Sequence, residues 1–223
     1  MQKADNTKSP LGWQIALLKI QIYTFWQINS LSYREILMPN IAAVNLEKFI
    51  DCCKNNLSIF GMDLDFDSHV WDMTDTVIRN GMRRNLVYFS TLESAINRQP
   101  SWMHESFLPF AKSYFIYMYG LCPSKSYGHR IHALRTMEAA LVELNPSPDP
   151  TKIDATVLNR AAQIAVDHYS PSAAYYIGRC LEELSIFMSE NMLLVVPIVW
   201  RNPVKKPLVN FWGTSAGEQI VHQ

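Results

Sequence analysis

The clearest hydrophobic pattern in the chain lies between about Met103 and Pro207, where apolar positions recur at helical spacing. Four segments carry it: FLPFAKSYFIYMYG, SYGHRIHALRTMEAALVEL, DATVLNRAAQIAVDHY and PSAAYYIGRCLEELSIFMSENML, followed by the extended exit VVPIVWRNPVKKP. In the second, Ile131, Leu134, Met137, Leu141 and Leu144 form an i, i+3, i+4 stripe. The third turns Leu158, Ala162, Ala165 and Val166 inward, and the fourth Ala174, Ile177, Leu181, Leu184 and Met188. Helix punctuation agrees with these limits. Pro109 falls in a first turn, where its missing N–H costs little, and Gly120 and Pro123 stop that helix. Ser124 or Ser126 is placed to cap the second helix, Thr151 or Asp154 the third, and Ser170 followed by Pro171 opens the fourth. Asn145, Pro146, Pro148 and Pro150 make a stiff connection, and short connections between such helices predict a compact bundle.

Before residue 100 the periodicity is mixed. Lys19–Trp26 crowds β-branched and aromatic residues and reads as a strand. Asn45 is a plausible N-cap for LEKFIDCCKNN, whose Leu46, Phe49, Ile50 and Cys53 share one face. FDSHVWDMTD and NLVYFST read as two short strands joined through Asn80-Gly81, a pair that favours the positive φ of a tight turn. NRQP, ending at Pro100, reads as a short linker. The expected fold is therefore mainly α: a four-to-five-helix bundle over residues 101–207, preceded by a smaller α+β region over 1–100. A tail follows over 208–223.

Composition narrows the class without naming a partner. The chain is 48% apolar and 12% aromatic, as a packed globular protein is, not a disordered one. Twenty Lys and Arg balance twenty Asp and Glu, so any polyanion-binding surface must concentrate its cations on one face. Cys52, Cys53, Cys122 and Cys180 form no C-x-x-C pair, which leaves no zinc-ribbon or redox motif, and reduced thiols are the expected state. The apolar run from Leu11 to Ile28 is broken by Gln14, Lys19, Gln21 and Gln27, so neither a signal peptide nor a membrane span is read there. A cytoplasmic location is expected, with no metal and no cofactor.

Two helix starts carry the candidate chemistry. Ser124, Lys125, Ser126, Tyr127, His129, Arg130 and Arg135 combine hydroxyls, cations and helix N-terminal amides with no acidic residue among them, a set suited to phosphate oxygens. Ser172, Tyr175, Tyr176 and Arg179 offer similar groups at the fourth helix, with Arg179 one turn from the tyrosines. Taken alone, these residues read as a solvated polar face in preference to a phosphate site. Arg79, Arg83 and Arg84 make an accessory basic loop whose alternative is a solvated hairpin tip. Other constellations fail on inspection. Asp63, Asp65 and Asp67 alternate like a calcium loop, but Ser68 stands where Gly is needed and Thr74 where Glu is. His129 and His132 lack further ligands, and Glu182 and Glu183 point apart as ordinary solvated charges.

The order of these elements resembles the core-binding domain of tyrosine recombinases and phage integrases. The likeness is carried by Phe110, Lys112 and Tyr114 in F-x-K-x-Y, by HRIHALRTMEAAL, by NRAAQIAVDHYSPSAAYYIGRCLEELSIFMSENML, and by Trp200, Asn202 and Pro203 in VWRNPVKKP. It spans roughly residues 104–207. The resemblance implies a helical domain that closes over one face of duplex DNA and self-associates there in a bacterial cytoplasm. Lys112 would join the contacts above, and Lys205 and Lys206 would follow along the exit. It also implies a separate catalytic domain with a tyrosine nucleophile. His132-Ala133-Leu134-Arg135 spells that family's His-x-x-Arg, but inside a helix of the binding domain, so it is not read as catalytic. Residues 208–223 are too few for such a domain, and the expectation is a DNA-binding portion that does not cut DNA by itself. The competing expectation is an assembly module of a mobile-element protein without direct DNA contact.

Overall fold

A computed structural model describes residues 38–55, 64–74, 85–97, 100–121, 127–145 and 147–207. The order is α1 (Met38–Asn55), β1 (Val70–Asp72), β2 (Leu86–Tyr88), α2 (Leu92–Asn97), α3 (Leu108–Leu121), α4 (Gly128–Leu144), α5 (Ala155–His168) and α6 (Pro171–Glu190). A 3-10 turn at Pro150–Lys152 leads into α5. The fold is mainly helical with one small antiparallel sheet, in which Trp71 pairs with Val87. The expected strand at Lys19–Trp26 and the Asn80-Gly81 turn lie outside the described residues.

The helices of the C-terminal half start where their caps predict. Asp154 accepts from the Val157 N–H at 2.9 Å, and Ser170 accepts from the Ala173 N–H with Pro171 at the first helical position. α4 begins at Gly128 instead, behind Tyr127, with no side-chain cap. α4, α5 and α6 pack against one another, and α3 lies against both α4 and α1. Ala174, Ile177, Leu181, Leu184 and Met188 are all buried, as the periodicity predicts. Two stripe positions are corrected. Leu144 sits in the last turn of α4 and Val166 in α5, and both are exposed.

α1 extends a full two turns before the expected start. Asn45 is therefore not an N-cap. It is buried in mid-helix and its amide donates to the Met192 carbonyl at 3.2 Å. That carbonyl lies just past α6, in a Schellman closure. There the Leu193 N–H donates to the Met188 carbonyl and the Met192 N–H to the Ser189 carbonyl. Met192 takes the left-handed position at φ 50°, where glycine is the usual choice.

Trp71, Phe89, Phe115, Leu134 and Trp200 belong to one continuous core. Three buried charged groups explain the union. Irregular backbone that enters a core must find partners for its polar groups. Lys112 of α3 donates to the Phe66 carbonyl. From α4, Arg135 donates to the Tyr88 carbonyl at 2.9 Å and the Ser90 carbonyl at 3.2 Å, while Glu138 accepts from the His104 N–H at 2.9 Å. The residues before α3 are thus tied to the bundle by side chains reaching out of its helices.

Candidate nucleic-acid interface

Two of the expected phosphate contacts are corrected by these ties. Lys112 is 2% exposed, and burial, above all, lowers its pKa. Arg135 is 8% exposed, its guanidinium committed to the strand that leads into α2. Neither head group is available to a ligand. Sequence pattern hid this because both sit at helical phases bordering the core, where a long side chain reaches either inward or outward.

His132 stands beside Arg135, and its Nδ1 lies 3.0 Å from the Tyr169 hydroxyl. Burial first, then the Arg135 and His129 charges, lowers its pKa to about 4, so the ring is neutral at ordinary pH. Burial raises the Tyr169 pKa as well. A histidine, an arginine and a tyrosine thus meet, with the arginine committed to the Tyr88 and Ser90 carbonyl groups. The cluster ties α4 to the end of α5 and to β2.

The remaining residues converge. His129 at the start of α4 lies with its ring 5.3 Å from that of Tyr176 in α6, and Tyr176 is 5.4 Å from Tyr175. The two helix starts, separate in sequence, are therefore neighbours. Arg130, next to His129, is half-buried, with its Nε making no hydrogen bond. Ser172 and Arg179 are exposed, and Tyr127 is half-buried against Phe115. Ser124, Lys125, Ser126, Arg79, Arg83 and Arg84 lie outside the described residues.

The exit segment, read from sequence only as an extended stretch, supplies a further part. Residues 195–207 run back along α5 and α6 as a strap. Ile198 exchanges two hydrogen bonds with the Ser189 hydroxyl, at 2.9 and 3.1 Å. The Trp200 ring is buried, with its indole N–H donating to Asn159 at 2.8 Å. Arg201 reaches Glu182 at 2.8 Å. The Asn202 amide donates to the Tyr175 carbonyl at 3.2 Å, and its oxygen accepts from the Val204 N–H. Lys205 and Lys206 follow as exposed residues. Glu182 is corrected from a solvated charge: its carboxylate is nearly buried, and the hydrogen bond from Arg201, above all, holds its pKa below the ordinary range.

The start of α4 carries half-buried His129 and Arg130, the start of α6 carries exposed Ser172, Tyr176 and Arg179, and the strap carries exposed Arg201, Lys205 and Lys206. Cations and hydroxyls of this kind can donate hydrogen bonds to oxyanions. Among the described residues, no group of three or more His, Cys, Asp or Glu is placed to hold a metal ion. No described helix is long and apolar enough to cross a membrane. Set against known protein families, curated proteins and solved structures, the chain matches none.

Proposed function

We propose that this chain is a DNA-binding portion of a tyrosine-type site-specific recombinase, gripping duplex DNA through its phosphates for strand exchange by a catalytic domain. The observation that supports it is the meeting of two helix starts, His129 against Tyr176, beside a strap that adds Arg201, Lys205 and Lys206. In a chain with no net charge, a face rich in cations and hydroxyls is the feature a duplex binder needs. Helix N-termini strengthen it, since their free N–H groups and positive dipole ends favour anions. The test is a fluorescence anisotropy titration of residues 1–223 with unrelated duplexes at low and at physiological salt. Binding that weakens as salt rises supports the reading, and no retention at low salt removes it.

A second reading has an observation of its own. Val199 is 95% exposed, Val196 68% and Ile186 43%, an apolar exposure that favours an assembly module of a mobile-element protein. Concentration-dependent light scattering, together with no duplex binding, selects that reading.

A further inference from the structure

Arg179 and Arg201 are held in a way that ordinary surface cations are not. Glu182 stands between them with its side chain 9% exposed, while Arg179 is 54% and Arg201 79% exposed. One carboxylate oxygen accepts from Arg201 Nη1 at 2.8 Å, and the other lies 3.7 Å from Arg179 Nη1. Arg201 is fixed from both sides along the chain, by the Trp200–Asn159 bond and by the seating of Asn202 on α6.

Exposed ion pairs contribute little to stability, so the main effect of this bridge is on direction. A guanidinium carries five N–H donors in a rigid fork. The bridge engages few of them and leaves the rest on two solvent-exposed forks that share an anchor. Two such forks, already oriented, lose little freedom on meeting an oxyanion.

We propose that Glu182 is a positioning residue that holds Arg179 and Arg201 as one paired donor set for a single backbone phosphate of duplex DNA. The proposal rests on the DNA-binding reading above. It opposes simple electrostatics: removing the acidic charge of Glu182 makes the face more positive, which by charge alone tightens DNA binding.

The experiment is duplex binding by anisotropy across a salt series for the full chain, Glu182→Gln, Arg179→Ala, Arg201→Ala and the double arginine variant. Thermal unfolding confirms that each is folded. Glu182→Gln is expected to bind several-fold more weakly despite its added net charge, with a salt slope smaller by about 0.9, one phosphate's worth. The two arginine losses are expected to be non-additive, the double variant binding about as weakly as either single one. Equal or tighter binding by Glu182→Gln overturns the proposal, as do additive arginine losses. The arginine pair answers the question if Glu182→Gln does not fold, because both side chains are exposed. If the unaltered chain binds no duplex at any salt, the DNA-binding reading fails and this proposal with it. That outcome is distinct from a binding chain with an indifferent Glu182.

Discussion

Gly178 and Asn202 are in such close contact that a Cβ on Gly178 would stand 2.1 Å from the Asn202 side-chain oxygen and 2.5 Å from its amide carbon. The glycine is what lets the strap lie directly on α6, and the Asn202 amide is pinned there by the Tyr175 carbonyl and the Val204 N–H. Gly178→Ala therefore forces the whole amide to move. The expected cost is roughly 1–3 kcal/mol, the range for overpacking a filled site. Combining it with Asn202→Ala is expected to cost less than the sum of the two single changes, since the clash disappears with the amide. Urea unfolding of the four proteins measures both quantities, and strict additivity contradicts the packing.

Trp200→Phe keeps most of the buried ring and deletes the bond to Asn159. A loss of about 1 kcal/mol is expected from the hydrogen bond, with somewhat more from the smaller ring. Asn159→Ala is expected to destabilise by a similar amount, and the double variant by little beyond either one. Thermal denaturation of the set checks this.

Arg135 tests the corrected assignment. Arg135→Ala leaves the Tyr88 and Ser90 carbonyls without their buried donor, and a loss of about 2–4 kcal/mol is expected. The folded fraction is expected to keep the duplex affinity and salt slope of the unaltered chain. A flattened slope would instead return Arg135 to the binding face.

His132 sets a pH dependence. Its folded pKa is about 4 against an ordinary 6.5, so between these values the unfolded chain binds the proton and the folded chain does not. The contribution is fully present above pH 6.5 and is lost as pH falls through 4. The full shift is discounted for partial exposure to about 2 kcal/mol. The burial of Glu138 raises that carboxyl's pKa, an opposing trend at acid pH, so the useful quantity is a difference curve. Wild type minus His132→Asn is expected to fall by that amount between pH 6.5 and 4 in urea titrations. A flat difference contradicts the neutral, buried ring.

Much of the helical half was legible because its signals are local. Asp154, Ser170 and Pro171 mark their helix starts through bonds within one turn, and the α6 stripe is a matter of 3.6-residue phase. The strand pair was legible too, as Trp71 and Val87 sit at alternating positions within their own strands. What escaped was long-range. Asn45 looks like a cap until its partner, Met192, is known, because nothing near it in sequence supplies that carbonyl. Lys112, Arg135 and Glu138 look like surface charges until the segments before α3 pack against them. The candidate site divides in the same way. Its helix starts were visible as hydroxyl-rich, basic stretches. Arg201 was not, because only the seating of Trp200 and Asn202 brings it to Glu182. The one signal that pointed there was the small residue Gly178 on the polar side of α6, opposite a Trp-x-Asn-Pro exit.

The central claim is duplex binding through the face that joins α4, α6 and the strap. Its most direct measurement is the salt dependence of duplex affinity for the unaltered chain and for Arg130→Ala combined with Arg179→Ala. The account predicts micromolar, salt-sensitive binding by the former, and weaker binding with a slope reduced by about 1–2 in the latter. The same affinity and slope in both proteins, or no binding by either at low salt, would contradict it.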